Sequence, residues 1–368
     1  MRAARRGIEG LEEELARERE AVEGRSAPYA RALELLPQVL AGPQGRFLAA
    51  AWGARPFFAW YERPLLLLAA LRNDVLAEGE AHPLWPAFGP DADAAAIDAD
   101  DLAASLAGGR DRVWDTLARR RVQTNETSRA VAWLWPAALA GASFGGRPIA
   151  IADVGASAGL NLVADALPAP WTDEDGTPIE VARGVRAVAR VGLDPAPLDA
   201  LGEEDGRWLR ACVWPGERER EERLLAALDA FRAARIRPDA PVLVPIAAPN
   251  VPSRLDLLSA ADRGALVVAT QAVVRDYIDP ADRAEYERGM REWLATHPPG
   301  DALRTELEAA GADAREAALV AHLRAPDGRL RSIELGRTDA HPVRIRRVPG
   351  AEAELRALIA REPAAAHA

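Results

Sequence analysis

The residues best equipped for chemistry lie in one stretch, Ile149-Ala150-Ile151-Ala152-Asp153-Val154-Gly155-Ala156-Ser157-Ala158-Gly159-Leu160-Asn161. An apolar run ends near Asp153, and Gly155 and Gly159 then bracket a turn of small residues. Glycine lets the backbone turn sharply and approach a bound group closely. The free amides of a helix opened by such a turn, here expected over Leu160 to Leu167, point at that group. Asp194, in Val191-Gly192-Leu193-Asp194-Pro195, supplies a second carboxylate of the kind that grips the two hydroxyls of a ribose. Ser157 offers a hydroxyl nucleophile at the centre of Gly-x-Ser-x-Gly. Glu126, in the polar cluster Gln123-Thr124-Asn125-Glu126-Thr127, and His341, in Asp339-Ala340-His341-Pro342, are the candidate proton carriers.

Three enzyme types use a turn of this shape. In an S-adenosylmethionine-dependent methyltransferase, Asp153, Gly155, Ser157 and Gly159 would form the cofactor turn, with Ser157 where a middle glycine is usual, and Asp194 would bind the ribose. Asp194 stands 35 residues beyond Gly159, against roughly 20 in a dinucleotide-binding fold. That reading therefore requires an insertion, and the Pro-, Asp- and Gly-rich Asp165 to Gly184 supplies one. In a serine hydrolase, Ser157 would be the nucleophile and His341 the base, but an elbow serine normally follows several strands of its own sheet. A short-chain dehydrogenase turn is also similar, although Asn161 replaces its last glycine. A tight turn that binds nothing stays open as the fourth reading. Thr270-Gln271 stands where amino-group methyltransferases carry Asp or Asn followed by Pro-Pro, which argues against a nucleobase or amide acceptor.

Composition narrows these choices. None of the 46 basic residues is lysine, which removes a Walker phosphate loop, a Schiff-base enzyme and the Tyr-x-x-x-Lys pair of a dehydrogenase. A net charge of −10 opposes binding along a nucleic-acid backbone. One cysteine, Cys212, and five scattered histidines give no expected metal site. The apolar run Pro64 to Leu71 falls short of the roughly 20 residues of a membrane span, and no signal-type segment follows Met1 to Arg6. A cytoplasmic protein acting on a small molecule is the expectation, with the oligomeric state left open.

The elements that must position these residues follow from periodicity. Leu11, Leu15 and Val22 share one helix face, and further helices are expected over Ala30 to Leu40, Pro64 to Leu76, Asp111 to Arg121 and Glu126 to Leu139. His82 to Ala95 reads as a loop. Beyond Arg147, strand-like runs at Ile149 to Val154, Ala187 to Leu193, Val242 to Ala247 and Leu266 to Thr270 alternate with helical stretches, the pattern of a mostly parallel sheet. Ala317 to Leu323 and Leu330 to Leu335 flank Pro326-Asp327-Gly328, an antiparallel terminal hairpin. The fold expected is α/β: a helical cap over residues 1–146, then a Rossmann-like, methyltransferase-type sheet over 147–368. The tryptophans Trp133, Trp135, Trp208 and Trp214 read as core.

His82-Pro83-Leu84, Val122-Gln123-Thr124-Asn125-Glu126, Gly155 to Leu162, Gly192-Leu193-Asp194-Pro195 and Arg207-Trp208-Leu209-Arg210 with Val213-Trp214-Pro215 together resemble the bacterial domain-of-unknown-function family 2332. The resemblance implies a helical amino-terminal part followed by a methyltransferase-like sheet, and it brings no established activity. The chain departs from that family's pattern at Val244 to Asn250, where a Gly-Asp-Ala segment is expected. A non-catalytic relative that keeps the fold is therefore also a reading.

Overall fold

The computed structural model describes residues 5–259, 264–311 and 316–359. Its α-helices are, in chain order, α1 Leu11–Val22, α2 Ala27–Leu40, α3 Pro43–Trp52, α4 Glu62–Glu78, α5 Trp85–Phe88, α6 Ala99–Ser105, α7 Asp111–Arg119, α8 Val131–Leu139, α9 Glu203–Ala211, α10 Arg218–Ala234, α11 Val251–Ser259, α12 Pro280–Thr296 and α13 Ala351–Ile359. The strands are β1 Ile149–Val154, β2 Thr172–Asp173, β3 Ala187–Asp194, β4 Val242–Pro245, β5 Leu266–Ala272, β6 Ala302–Ala309, β7 Ala317–Arg324, β8 Leu330–Thr338 and β9 Arg344–Arg347. The chain forms two compact units, Met1–Thr124 with Leu201–Leu224, and Asn125–Ala200 with Leu225–Ala368. Among the described residues no helix is long and apolar enough to cross a membrane.

The first unit is helical and centres on α4, which is buried from Glu62 to Val75 except at Leu65. A helix buried all round must neutralise its charges internally, and its arginines do so. Arg63, fully buried, donates to Glu14 of α1 at 2.7 Å and to the Gly7 carbonyl. Arg72 donates to the main-chain carbonyls of Phe88, Arg210 and Val213, and so ties α4 to the 201–224 segment. The 82–95 tract is a loop interrupted by the single-turn helix α5 and ending in the 3-10 turn Ala94–Ala96.

The second unit is a nine-stranded sheet in the order β2-β9-β8-β7-β6-β5-β1-β3-β4. The five strands β4-β3-β1-β5-β6 are mutually parallel, and β7, β8 and β9 continue the sheet antiparallel. The β7–β8 hairpin turns at Pro326-Asp327-Gly328, where Ala325 N–H bonds the Arg329 carbonyl at 2.8 Å. Strand alternation sends Ile149 and Ile151 to a core under α8 and α13, and Ala150, Ala152 and Val154 to a second core under α11 and α12. All four tryptophans expected in cores are buried.

Two local expectations are corrected. Glu126 to Leu139 is not one helix but a 3-10 turn, Thr127–Ala130, followed by α8. Leu160 to Ala166 is 3-10 rather than α-helical. Its first carbonyls are taken by side chains: Trp133 Nε1 bonds the Asn161 carbonyl at 3.1 Å, and Arg190 bonds that of Leu162. The turn therefore opens a short, tight helix without the array of aligned amides that a full α-helix presents.

Candidate functional site

The parallel strands, numbered among themselves, run 3-2-1-4-5, so the strand order reverses beside β1. In such sheets ligands bind outside the carboxyl ends at the reversal. The candidate residues collect at that point. Asp153 lies opposite Gly192 of β3 and Thr270 of β5, and Asp194 ends β3 one step beyond the rung joining Val154 to Leu193.

The turn between them has left-handed backbone at three places, Gly155 (φ 72°), Ser157 (φ 52°) and Gly159 (φ 75°). A Cβ on Gly155 would come within 2.5 Å of Val274 Cγ2, and one on Gly159 within 2.7 Å of Leu243 Cδ2. The glycines therefore serve the close packing of the turn against its own protein as well as its curvature. Gly155 itself is exposed. Asp194 holds the turn from the other side: Oδ2 accepts Ser157 N–H at 2.9 Å and Oδ1 accepts Ala196 N–H at 2.8 Å. A carboxylate has about four lone-pair positions, which leaves Asp194 capacity for a further donor.

Asp153 is buried, with its Oδ2 lacking a partner. Burial, reinforced by the charge of Asp194 and opposed by a hydrogen bond from Asn161, pushes its pKa up to about 7. Ser157 Oγ and Asn161 Oδ1 are also buried polar atoms without partners. Three such atoms around one turn form a cluster of unmet hydrogen-bonding capacity, which native interiors rarely leave.

The remaining candidates fall differently. Glu126 is buried and caps the Thr127–Ala130 turn by accepting Ser128 N–H at 3.2 Å. That segment reaches the site through Trp133 and Asn161. His341 is half-buried in the loop after β8, and its N–H bonds Asp339 Oδ1 at 2.7 Å. β8 runs in the direction of β1, so this loop lies on the same sheet edge, four strands away. Ser157 Oγ bonds neither residue.

The sequence reading missed the other side of the reversal. Val273, just past β5, has φ 56°, a genuine outlier for a β-branched residue. Behind it, β5, β6 and α12 bury a polar network of Gln271, Tyr286, Arg304, Glu306 and Glu308. Burial pushes the Glu308 pKa up to about 7. Burial also acts on Glu306, but His322, Arg304 and Arg275 outweigh it and hold that carboxyl down to about 2. One signal was available: Arg304, Glu306 and Glu308 alternate along a strand, on one face.

Two further clusters are structural in form. His322 Nδ1 and Ser332 Oγ lie 2.7 Å apart across the β7–β8 rung, and Glu306 is 3.2 Å from His322 Nε2 but out of line for a hydrogen bond. This is a cross-strand polar pair on a half-solvated face, without the aligned base and acid of a catalytic triad. In the first unit Asp74, Glu78 and His82 bring possible ligand atoms within 4.8 Å of one another. There Leu84 N–H occupies His82 Nδ1, placing the ring proton on Nε2 toward Asp74, and Arg110 and Arg112 pair with the carboxylates.

Fold and site together define an open α/β protein with paired acids at the strand-order reversal of its sheet. The chain belongs to the family described as uncharacterized protein conserved in bacteria (DUF2332), whose model matches residues 13–347. No curated protein and no solved structure matches it.

Proposed function

We propose that the second unit binds S-adenosylmethionine and transfers its methyl group to a small-molecule acceptor. The observation that carries this reading is the placement of Asp153 and Asp194 at the carboxyl ends of neighbouring central strands, flanking a left-handed turn at the sheet's reversal point. The 3-2-1-4-5 order of the parallel strands supports a Rossmann-like, methyltransferase-type sheet. The antiparallel strands beyond β6 agree with a sheet of that type.

The residues fit the group. The unpartnered Asp153 Oδ2 and Ser157 Oγ and the exposed backbone of Gly155 offer polar contacts, and Asp194 keeps lone pairs for ribose hydroxyls. When bound, S-adenosylmethionine supplies an electrophilic methyl group on a sulfonium. The chain's part is to bind, orient and exclude water; methyl transfer proceeds largely by holding acceptor and donor in line. Asp153, with a pKa of about 7, accepts a hydrogen bond above neutrality and donates one below it. The reading assigns no step to Glu126, which is used as a cap, and leaves His341 as the residue to test for proton removal from the acceptor.

A serine hydrolase is the second reading, favoured by the left-handed φ of Ser157 within Gly-x-Ser-x-Gly. Against it, Ser157 Oγ has no histidine partner, and the turn follows the first strand of the sheet. Calorimetric titration with S-adenosylmethionine separates the two. Saturable binding that is lost in Asp194→Ala and kept within a few-fold in Ser157→Ala is the expected result, with circular dichroism confirming that both variants fold. No heat at millimolar ligand, together with labelling of Ser157 by a fluorophosphonate, would replace the first reading by the second.

A further inference from the structure

We infer that Glu308 is a positioning residue: its carboxylate clamps the Val273–Arg275 turn against Gly155, and ligand binding at the reversal point follows the ionisation of Glu308. The clamp is read from geometry alone, whereas its link to the ligand rests on the function proposed above.

β5 ends at Ala272, and Val273 N–H still pairs with the Leu307 carbonyl of β6 at 2.9 Å. The left-handed Val273 then redirects the next two amides inward. Val274 N–H reaches Glu308 Oε1 at 3.0 Å, and Arg275 N–H lies 3.3 Å from both carboxylate oxygens. Successive main-chain amides converging on one anion form a nest, and here the anion is supplied by the protein itself. Gln271 Nε2 adds a donor to Oε1 at 2.9 Å. The amide of Gln271 is fixed in that sense, because its Oε1 accepts Tyr286 OH and Arg304 Nη2.

The clamped turn is the wall that Gly155 faces, since a Cβ there would strike Val274. Glu308 therefore sets the width of the crevice without entering it. An ionised Glu308 only accepts, and its environment only donates. A protonated one, with its O–H on Oε2, gives up the Arg275 contact there and leaves neutral Oε1 alone to accept Gln271, Val274 and Arg275, a weaker hold. Without that restraint only the Val273 N–H bond to the Leu307 carbonyl and the Arg275 pair with Glu306 still hold the turn to β6 against relaxation of the strained Val273.

The charged and titratable groups around Glu308 are Arg275 after β5, Arg304 and Glu306 on β6, and Tyr286 and Glu287 on α12. On β7 its partner is Ala318, with His322 beside Glu306. Burial outweighs the donors and Arg275, bringing the titration of Glu308 to about 7. The Val274 amide bond lowers the Glu308 pKa against burial, so releasing the turn while Glu308 stays buried raises that pKa further, and the clamp is tighter above about pH 7 than below it.

The experiment is amide hydrogen exchange of the full chain at Val274 and Arg275 between pH 5.5 and 8.5, expressed as protection factors. It is run on wild type, Glu308→Gln and Glu308→Asp. Wild-type protection should fall about tenfold as pH drops through 7, the equivalent of about one pKa unit between the clamped and the released carboxylate. Glu308→Gln should give low protection at every pH, and Glu308→Asp should restore part of the wild-type profile. S-adenosylmethionine affinity is measured in parallel in wild type and Glu308→Gln, and the part of its pH dependence that Glu308→Gln removes should follow the same curve. Protection that ignores both pH and Glu308→Gln would overturn the clamp. A pH-dependent clamp with no S-adenosylmethionine binding at any pH would overturn the link to that ligand and the proposed function, while leaving the clamp standing.

Discussion

Asp194 accepts the main-chain N–H of Ser157 at 2.9 Å, so the acid that ends β3 fastens the turn that follows β1. The same carboxylate takes Ala196 N–H. Asp194→Ala thus leaves two amides without their acceptor, at about 1–3 kcal/mol each if they stay buried. We expect a loss of about 2–4 kcal/mol for Asp194→Ala and roughly half of that for Asp194→Asn, which keeps one acceptor. Urea unfolding of the second unit measures both; equal losses would show that Asp194 does not hold the turn.

Asp153 makes stability depend on pH. Its folded pKa of about 7 lies above the unfolded value near 3.9. The folded state therefore holds the proton more tightly, and this contribution is full below about pH 4 and lost as pH rises through 7. Asp153→Asn, which cannot ionise, should be more stable than wild type by about 2–4 kcal/mol at pH 8 and nearly equal to it at pH 4. Thermal unfolding across that range is the check, and a gap independent of pH would contradict it.

Gly155→Ala places a methyl group 2.5 Å from Val274 Cγ2 on a backbone with φ 72°. Left-handed backbone costs an L residue about 1–2 kcal/mol, and overpacking adds about 1–3. The midpoint of urea unfolding should fall accordingly. The double variant Gly155→Ala with Val274→Ala should recover the packing part alone.

Val273→Gly should be nearly neutral, within about 1 kcal/mol, because relief of the left-handed valine offsets the entropy of glycine. Val268→Gly, in the buried middle of β5, should cost about 3 kcal/mol or more. Similar losses for the two would mean that Val273 carries no strain.

Arg304→Met removes the cation that pairs with Glu287 and Glu306, and with it a donor to Gln271. Breaking one side of a buried ion pair costs about 3–5 kcal/mol. Adding Glu306→Gln should return part of that loss, measured by the same unfolding curves.

Much of the sheet was legible because apolar strands between charged helices stand out. The spans of β1, β3, β5, β7 and β8 lie within a few residues of the expected ones. β6 was not legible, since Arg304, Glu306 and Glu308 break its apolar pattern and only the three-dimensional pairing makes them core residues. β2 and β9 are too short to show any period. The turn could be found from its glycines, and Asp194 from the strand that ends on it. The far wall could not, because Val273 is an ordinary residue in an unusual backbone conformation, and the Glu308 that accepts the next amide stands 35 positions later. The 3-10 form of Leu160–Ala166 was likewise hidden, set by side chains from Trp133 and Arg190 that lie far away in sequence.

The short strand β2 pairs with β9 across the sheet, Thr172 beside Arg344. The chain between β1 and β3 thus leaves the centre of the sheet for its outermost edge and then comes back. During synthesis β2 emerges long before its partner exists, and at about 5–20 residues per second the wait is on the order of ten seconds or more. The edge of the second unit cannot close in the order in which the ribosome delivers it. Its last step of assembly is reserved for β9, and a nascent chain stalled before Arg344 would hold the 165–186 excursion by Trp171 and Ala182, bonded to the Ser128 and Leu134 carbonyls, without its pairing in the sheet.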